Sequence, residues 1–157
     1  MIYKKSWKYI LVKDGCSYWS NCNFYCLKAV RNFSDITKDS HGGFVCGYHN
    51  LSQKGNCWIY DKAIVSGNAR VSENAQILGH AQVREYAKVY GFAKVSKDAR
   101  VTQHAQIFGR AIVTGNSQVC ENARVFENVK VYGNAKVSGN AKVSGNTDVS
   151  GNKIISK

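Results

Sequence analysis

Nowhere does this chain hold an apolar run long enough to cross a bilayer, so no membrane-spanning helix is expected. Its start, MIYKKSWKYILVKDG, alternates like a strand and lacks the apolar centre of an export signal. On that reading the protein is cytoplasmic. Its six cysteines (16, 22, 26, 46, 57 and 120) are then expected as reduced thiols rather than a disulfide frame. Catalytic signatures are missing as well. No glycine-rich phosphate loop follows a strand and opens a helix, and no nucleophile elbow or paired-carboxylate arrangement stands out. Cys16, Cys22, Cys26, His41, Cys46 and His49 share one small region, but no Cys-x-x-Cys pair occurs. Their spacings match no standard zinc module, so no metal is expected. Acidic residues are scarce, ten against twenty-two Lys and Arg, for a net charge of +12. That surplus attracts anionic partners, whether nucleic acid, a nucleotide or an acidic protein; its plainer role is a soluble, lysine-decorated surface.

What the chain does have is a strict period. Every sixth residue from Ile59 to Ile155 is valine or isoleucine, seventeen positions of seventeen. Two residues ahead lies a small-residue slot, alanine at twelve of sixteen positions from Cys57 to Thr147. The exceptions are Cys57, Ser117, Val129 and Thr147. The unit reads A-x-V-x-G-N, most plainly in Ala135-Lys136-Val137-Ser138-Gly139-Asn140. Residues two apart share one side of an extended chain, so Ala and Val face inward and the x residues outward. Gly and Asn then turn the chain, because both tolerate left-handed backbone. A period of six does not fit a helix, and β-branched residues prefer pleated surfaces. Fixed repetition of this kind marks a solenoid, whose units bury their apolar faces only against neighbours.

An aliphatic residue followed four places later by a small one, as in Val137 with Ala141, Val65 with Ala69 and Ile107 with Ala111, resembles the hexapeptide-repeat proteins. The resemblance implies an all-β fold, a left-handed parallel β-helix of about five to six triangular coils in which residues eighteen apart stack. The interior column of Val and Ile contributes roughly 1.5–3 kcal/mol per buried side chain, core enough for a rod. The division expected is a β-rich cap over residues 1–50, the β-helix over 51–152 and a tail at 153–157. Aromatic residues crowd the cap (Tyr3, Trp7, Tyr9, Tyr18, Trp19, Phe24, Tyr25, Phe33), which reads as two or three strands with turns. Gly42-Gly43 and Gly47 read as punctuation before the helix. The plainest role of this region is to cover the first coil, whose end would otherwise expose apolar core.

The string from Phe33-Ser34-Asp35-Ile36 through Gly42-Gly43-Phe44-Val45 and Asn50-Leu51-Ser52 to Gly55-Asn56-Cys57-Trp58-Ile59-Tyr60-Asp61 is narrower. It is similar to the lead-in segment of small hexapeptide-repeat proteins from bacteriophages and prophages, often labelled transferases on their repeats alone. This implies a phage accessory role. Counter-defence is one version, in which a compact basic body inhibits a host nuclease complex or sequesters its nucleic acid or nucleotide.

Stacking at eighteen residues turns the x positions into columns. One face carries Arg70, Lys88, Gln106, Arg124 and Lys142 beside Ser72, Tyr90, Phe108, Phe126 and Ser144. Phe92 and Arg110 replace Asn at the adjoining corner. Three aromatic rungs beside a basic ladder mark an interface or ligand surface. A homo-oligomer contact, dimer or trimer, is the first expectation, and a stacking surface for bases or nucleotides the second. The other two faces, led by Trp58 and Tyr60 and by Ile64 and Ser66, have scattered apolar residues or are polar. Regular threonine ladders are absent, which sets ice binding aside.

The alternative that the family implies is acyl transfer from acetyl-CoA, with a histidine near a corner as general base. His80 and His104 both occupy the corner slot usually held by Asn, and Asp98 stacks next to His80. Yet uninterrupted hexads extrude no loop to shape a pocket. The reading favoured is therefore a non-catalytic binding protein that needs no cofactor. The run from Ala135 to Asn152 is the most regular of all, and an uncapped last coil there would be open to end-to-end pairing.

Overall fold

The computed structural model describes residues 6–13 and 23–157. Cys16 and Cys22, together with Tyr3, Tyr18 and Trp19, lie outside the described residues. Three strands open the chain: β1 (Tyr9–Val12), β2 (Tyr25–Ala29) and β3 (His41–Val45). Seventeen strands of two or three residues follow, from Trp58–Ile59 to Ile154–Ser156, one for each hexad. They sort into three parallel ladders in which every third hexad pairs, with Cα partners eighteen apart, as Arg70 with Lys88 and Val71 with Val89. The result is an all-β parallel solenoid of about six turns, consistent with a left-handed β-helix. No helix among the described residues is long and apolar enough to cross a membrane.

The ladders are built as the repeat demands. Each Val or Ile of the six-residue series from Ile59 to Val149 is buried, as are the alanines of the small slot. Backbone N–H groups donate to the carbonyl seventeen residues later, for example Arg70 to Ala87 O at 2.9 Å. Turns need positive φ, and glycine supplies it where the next coil approaches closest. At Gly109 (φ +67°) an added Cβ would stand 2.7 Å from the Glu127 backbone nitrogen.

Some turns instead place a polar residue at positive φ. Glu73 (φ 59°), Glu121 (φ 61°) and Glu127 (φ 61°) do so, and their carboxylates accept from the backbone N–H of Gly91, Gly139 and Gly145, one coil further on. The bond offsets part of the left-handed strain. Glu127→Ala is expected to cost about 1 kcal/mol in urea unfolding, because the bond is lost and the strain kept. Glu127→Gly should cost less, since glycine sits at positive φ without penalty.

The cap is more than a lid. Strands β1 and β2 pair antiparallel, β2 and β3 likewise, and β3 then pairs parallel with Ile64–Val65. One face of the solenoid thus extends into a nine-stranded sheet. Gly42 and Gly43, read above as punctuation, stand inside β3 instead. Their role is close approach: a Cβ on Gly43 would lie 2.5 Å from Ala63 O, and one on Gly42 2.7 Å from the Trp58 ring. Trp58 and Ile64, read as outward residues, point outward but are buried, at 1% and 7% exposure. Phe33 and Tyr9 of the cap cover Trp58, with ring centroids 5.3 and 6.1 Å away. At the other end the residues set apart as a tail extend the coil, Ile154–Ser156 pairing with Lys136–Ser138.

The cap is tied down by buried polar groups. Lys8, fully buried, donates from Nζ to Cys57 O (2.8 Å) and Gly55 O (3.1 Å) and touches Cys57 Sγ (3.3 Å). Burial pushes its pKa down and that of the Cys57 thiol up. Tyr60 donates to Asp35 Oδ1 at 2.9 Å, linking solenoid to cap. Burial, then Asp35, raise the phenol above its ordinary 10.0, and burial raises Tyr9 as well. A raised folded pKa means stability that is complete below the unfolded value and lost as pH climbs through the folded one. The melting temperature is therefore expected to fall as pH rises above 10, and less steeply in Tyr60→Phe. Lys8 contributes with the opposite sign, its depressed pKa favouring the fold as pH approaches 10.5.

Candidate functional site

The five-stranded ladder (Arg70–Val71, Lys88–Val89, Gln106–Ile107, Arg124–Val125, Lys142–Val143) carries the surface singled out from sequence. Tyr90, Phe108 and Phe126 form a single column: neighbouring ring centroids are 4.9 Å apart and the planes within 1° of parallel. The ring faces cover one another, so all three side chains are half-buried and present mainly their edges. Beside them, Arg70, Lys88 and Lys142 are exposed. Arg124 folds back, its Cζ 5.5 Å from the Phe108 ring centroid, with Nε buried and unpartnered. Gln106 interrupts the cationic column and accepts from the Tyr90 hydroxyl at 3.4 Å. Among the described residues no carboxylate lies within ion-pair reach of these four cations. Phe92 (61% exposed) and Arg110 stand at the adjoining corner, as expected.

The opposite border of this face holds a pair that the eighteen-residue register places together but that the sequence does not assign to this face. Tyr86 and His104 stack with centroids 5.0 Å apart and planes within 10°. They occupy the corner column two residues ahead of Lys88 and Gln106, so Lys88 has a ring on each side, Tyr86 and Tyr90. A groove of about 520 Å³ runs there, lined by Asn68, Arg70, Tyr86, Lys88, His104 and Gln106. The available signal was the pairing of a Tyr and a His in slots otherwise filled by Asn68, Asn122 and Asn140. A corner His reads as a solvated turn residue, and the hexad alone does not say which face it borders.

The catalytic candidates do not converge. His80 and His104 precede different ladders and so stand at different corners. His80 Nδ1 lies 3.6 Å from Asp98 Oδ1, the partnership foreseen, but the two side chains are 66% and 64% exposed. Such a pair is strongly screened and is not held against a reacting atom. Among the described residues no three His, Cys, Asp or Glu side chains gather as metal ligands, and no disulfide joins Cys26, Cys46, Cys57 and Cys120.

The family model described as YdcK beta solenoid repeat matches residues 63–79 and 105–121. The chain is a β-solenoid with a six-residue period. It is also similar to the uncharacterized acetyltransferase YdcK of Escherichia coli (strain K12), 39% identical over 49 residues. That likeness covers 27% of this chain and 15% of the relative, so the chain spans far less than the relative's length. The matched repeats include neither His80, His104 nor Asp98, and they exclude the lead-in string at 33–61.

Proposed function

We propose that this β-solenoid is a non-catalytic binding protein whose five-stranded face receives a nucleic acid or nucleotide. The observation that carries this reading is the column of Arg70, Lys88, Arg124 and Lys142, without carboxylate partners among the described residues, bordered by the Tyr90–Phe108–Phe126 stack on one side and by the Tyr86–His104 pair at its Lys88 and Gln106 rungs on the other. Phosphates are recognised by such cations and bases by such rings. A symmetric contact of this face with its own copy is less favourable, because it opposes like charges. It would also gain little apolar area from rings that already cover each other. Homo-oligomerisation as a dimer or trimer is better served by the exposed Phe92 corner. In the phage setting suggested by the lead-in segment, such a body would sequester a nucleic acid or nucleotide signal or occlude a nuclease complex.

A gel-shift series with single-stranded DNA across salt concentrations tests the reading. Binding at low salt that weakens linearly in log–log form as salt rises is the expected result. Binding indifferent to salt, or none at low salt, overturns it.

One observation favours a second reading, acyl transfer from acetyl-CoA: His104 lines the same groove as Arg70 and Lys88, and the relative carries an acetyltransferase name. A rise in thermal stability with acetyl-CoA that is lost in His104→Ala or His80→Ala would reverse the order of the two.

A further inference from the structure

Three features of the groove beside Tyr86 together specify a ligand. First, Tyr86 has one ring face against His104 and the other toward Asn68, a much smaller side chain, and remains 54% exposed. It is an aromatic platform with one side free for a planar partner. Secondly, Arg70 and Lys88 occupy successive rungs of the same groove, both exposed, and no carboxylate lines it. Two cations one strand spacing apart, about 4.8 Å, suit two linked phosphates better than one. Thirdly, the cationic column is interrupted there. Gln106 follows Lys88, and the next cation, Arg124, is turned onto Phe108. A long strand is served best by an unbroken column; a short anion needs only the two adjacent cations.

Volume agrees with a small occupant. The groove's roughly 520 Å³ falls within the range of about 300–1,000 Å³ seen for small-molecule sites. We infer that this groove is a nucleotide site, with the base stacked on the free face of Tyr86 and a diphosphate held by Arg70 and Lys88. The inference rests on the binding reading above and narrows it from nucleic acid to a free nucleoside diphosphate. Gln106 and Asn68 provide donors and acceptors at the rim, and His104 supports the ring of Tyr86 from beneath. The site is open to solvent, so its affinity depends on the phosphates and falls with salt.

Isothermal titration calorimetry of the full chain at low salt, with ADP, adenosine, a single-stranded oligonucleotide and acetyl-CoA as separate probes, tests this. ADP should bind more tightly than adenosine. Tyr86→Ala should weaken ADP about tenfold while Tyr86→Phe does not, which distinguishes stacking from a hydroxyl contact. Arg70→Ala and Lys88→Ala should each weaken ADP about tenfold and remove its advantage over adenosine. Lys94→Ala, on a different face, should leave binding unchanged. All these side chains are exposed, so unaltered melting temperatures confirm that the variants fold. Oligonucleotide binding without ADP binding overturns the nucleotide site and leaves the broader reading standing. Binding of neither removes both. Binding of acetyl-CoA without ADP overturns the site in favour of acyl transfer, since recognition would then lie on the acyl-bearing arm.

Discussion

Trp58→Ala should destabilise the folded chain by about 3–5 kcal/mol, the cost of removing a large buried aromatic, and should release the cap from the first coil. Trp58 is 1% exposed although it projects outward from its ladder. Its indole lies between Phe33 and Tyr9 and faces Gly42, where even a methyl group would meet the ring at 2.7 Å. Removing it opens a cavity at the seam between cap and solenoid, bordered by the Lys8 cage and by β3. Urea unfolding followed by far-ultraviolet circular dichroism measures the loss. Because solenoid turns depend on their neighbours, an early partial transition in the variant would report the cap separating first. A change below about 1 kcal/mol would show that the cap does not hold the first coil through this contact.

The second large effect concerns charge. Replacing Arg70, Lys88, Arg124 and Lys142 together by Glu should weaken single-stranded DNA binding by more than about a hundredfold at low salt. The salt slope should fall by about three to four, close to the number of phosphate contacts removed. The same four changes made at Lys94, Arg100, Lys130 and Lys136, on the other two faces, hold net charge constant. If binding depends on overall charge alone, both sets weaken it equally and the five-stranded face loses its assignment. Stability should change little in either set, since the backbone ladder and the Val and Ile interior are untouched.

Much of this surface was legible beforehand for a simple reason. In a coil of constant length, position along the chain converts directly into position in space. Tyr90, Phe108 and Phe126 are eighteen apart, and so they stack; the 4.9 Å centroid spacing is the strand spacing itself. Their parallel planes were not legible. Rings in register turn their faces toward one another, which converts an apparently flat apolar patch into a row of edges. Tyr86 and His104 obey the same eighteen-residue rule, yet a residue in a turn slot reads as solvated, and nothing in the hexad says which face it borders.

The cap followed no such rule. Trp58 and Ile64 sit in outward slots, identical in the repeat to those of Lys94 and Arg100, and they are buried because Phe33, Tyr9 and β3 come to rest against them. Gly42 and Gly43 look like a turn in the sequence and prove to be two residues of strand without room for a side chain.

Periodicity by itself determined the inward Val, Ile and Ala, because residues two apart in an extended unit share one side; the ladders and the columns of outward residues followed once the resemblance to hexapeptide-repeat proteins implied three hexads to a coil. Only the tertiary structure decided which outward residues remain exposed and which ring faces stay free. Both depend on contacts across the cap seam and around a corner, between side chains whose separation is no multiple of the repeat.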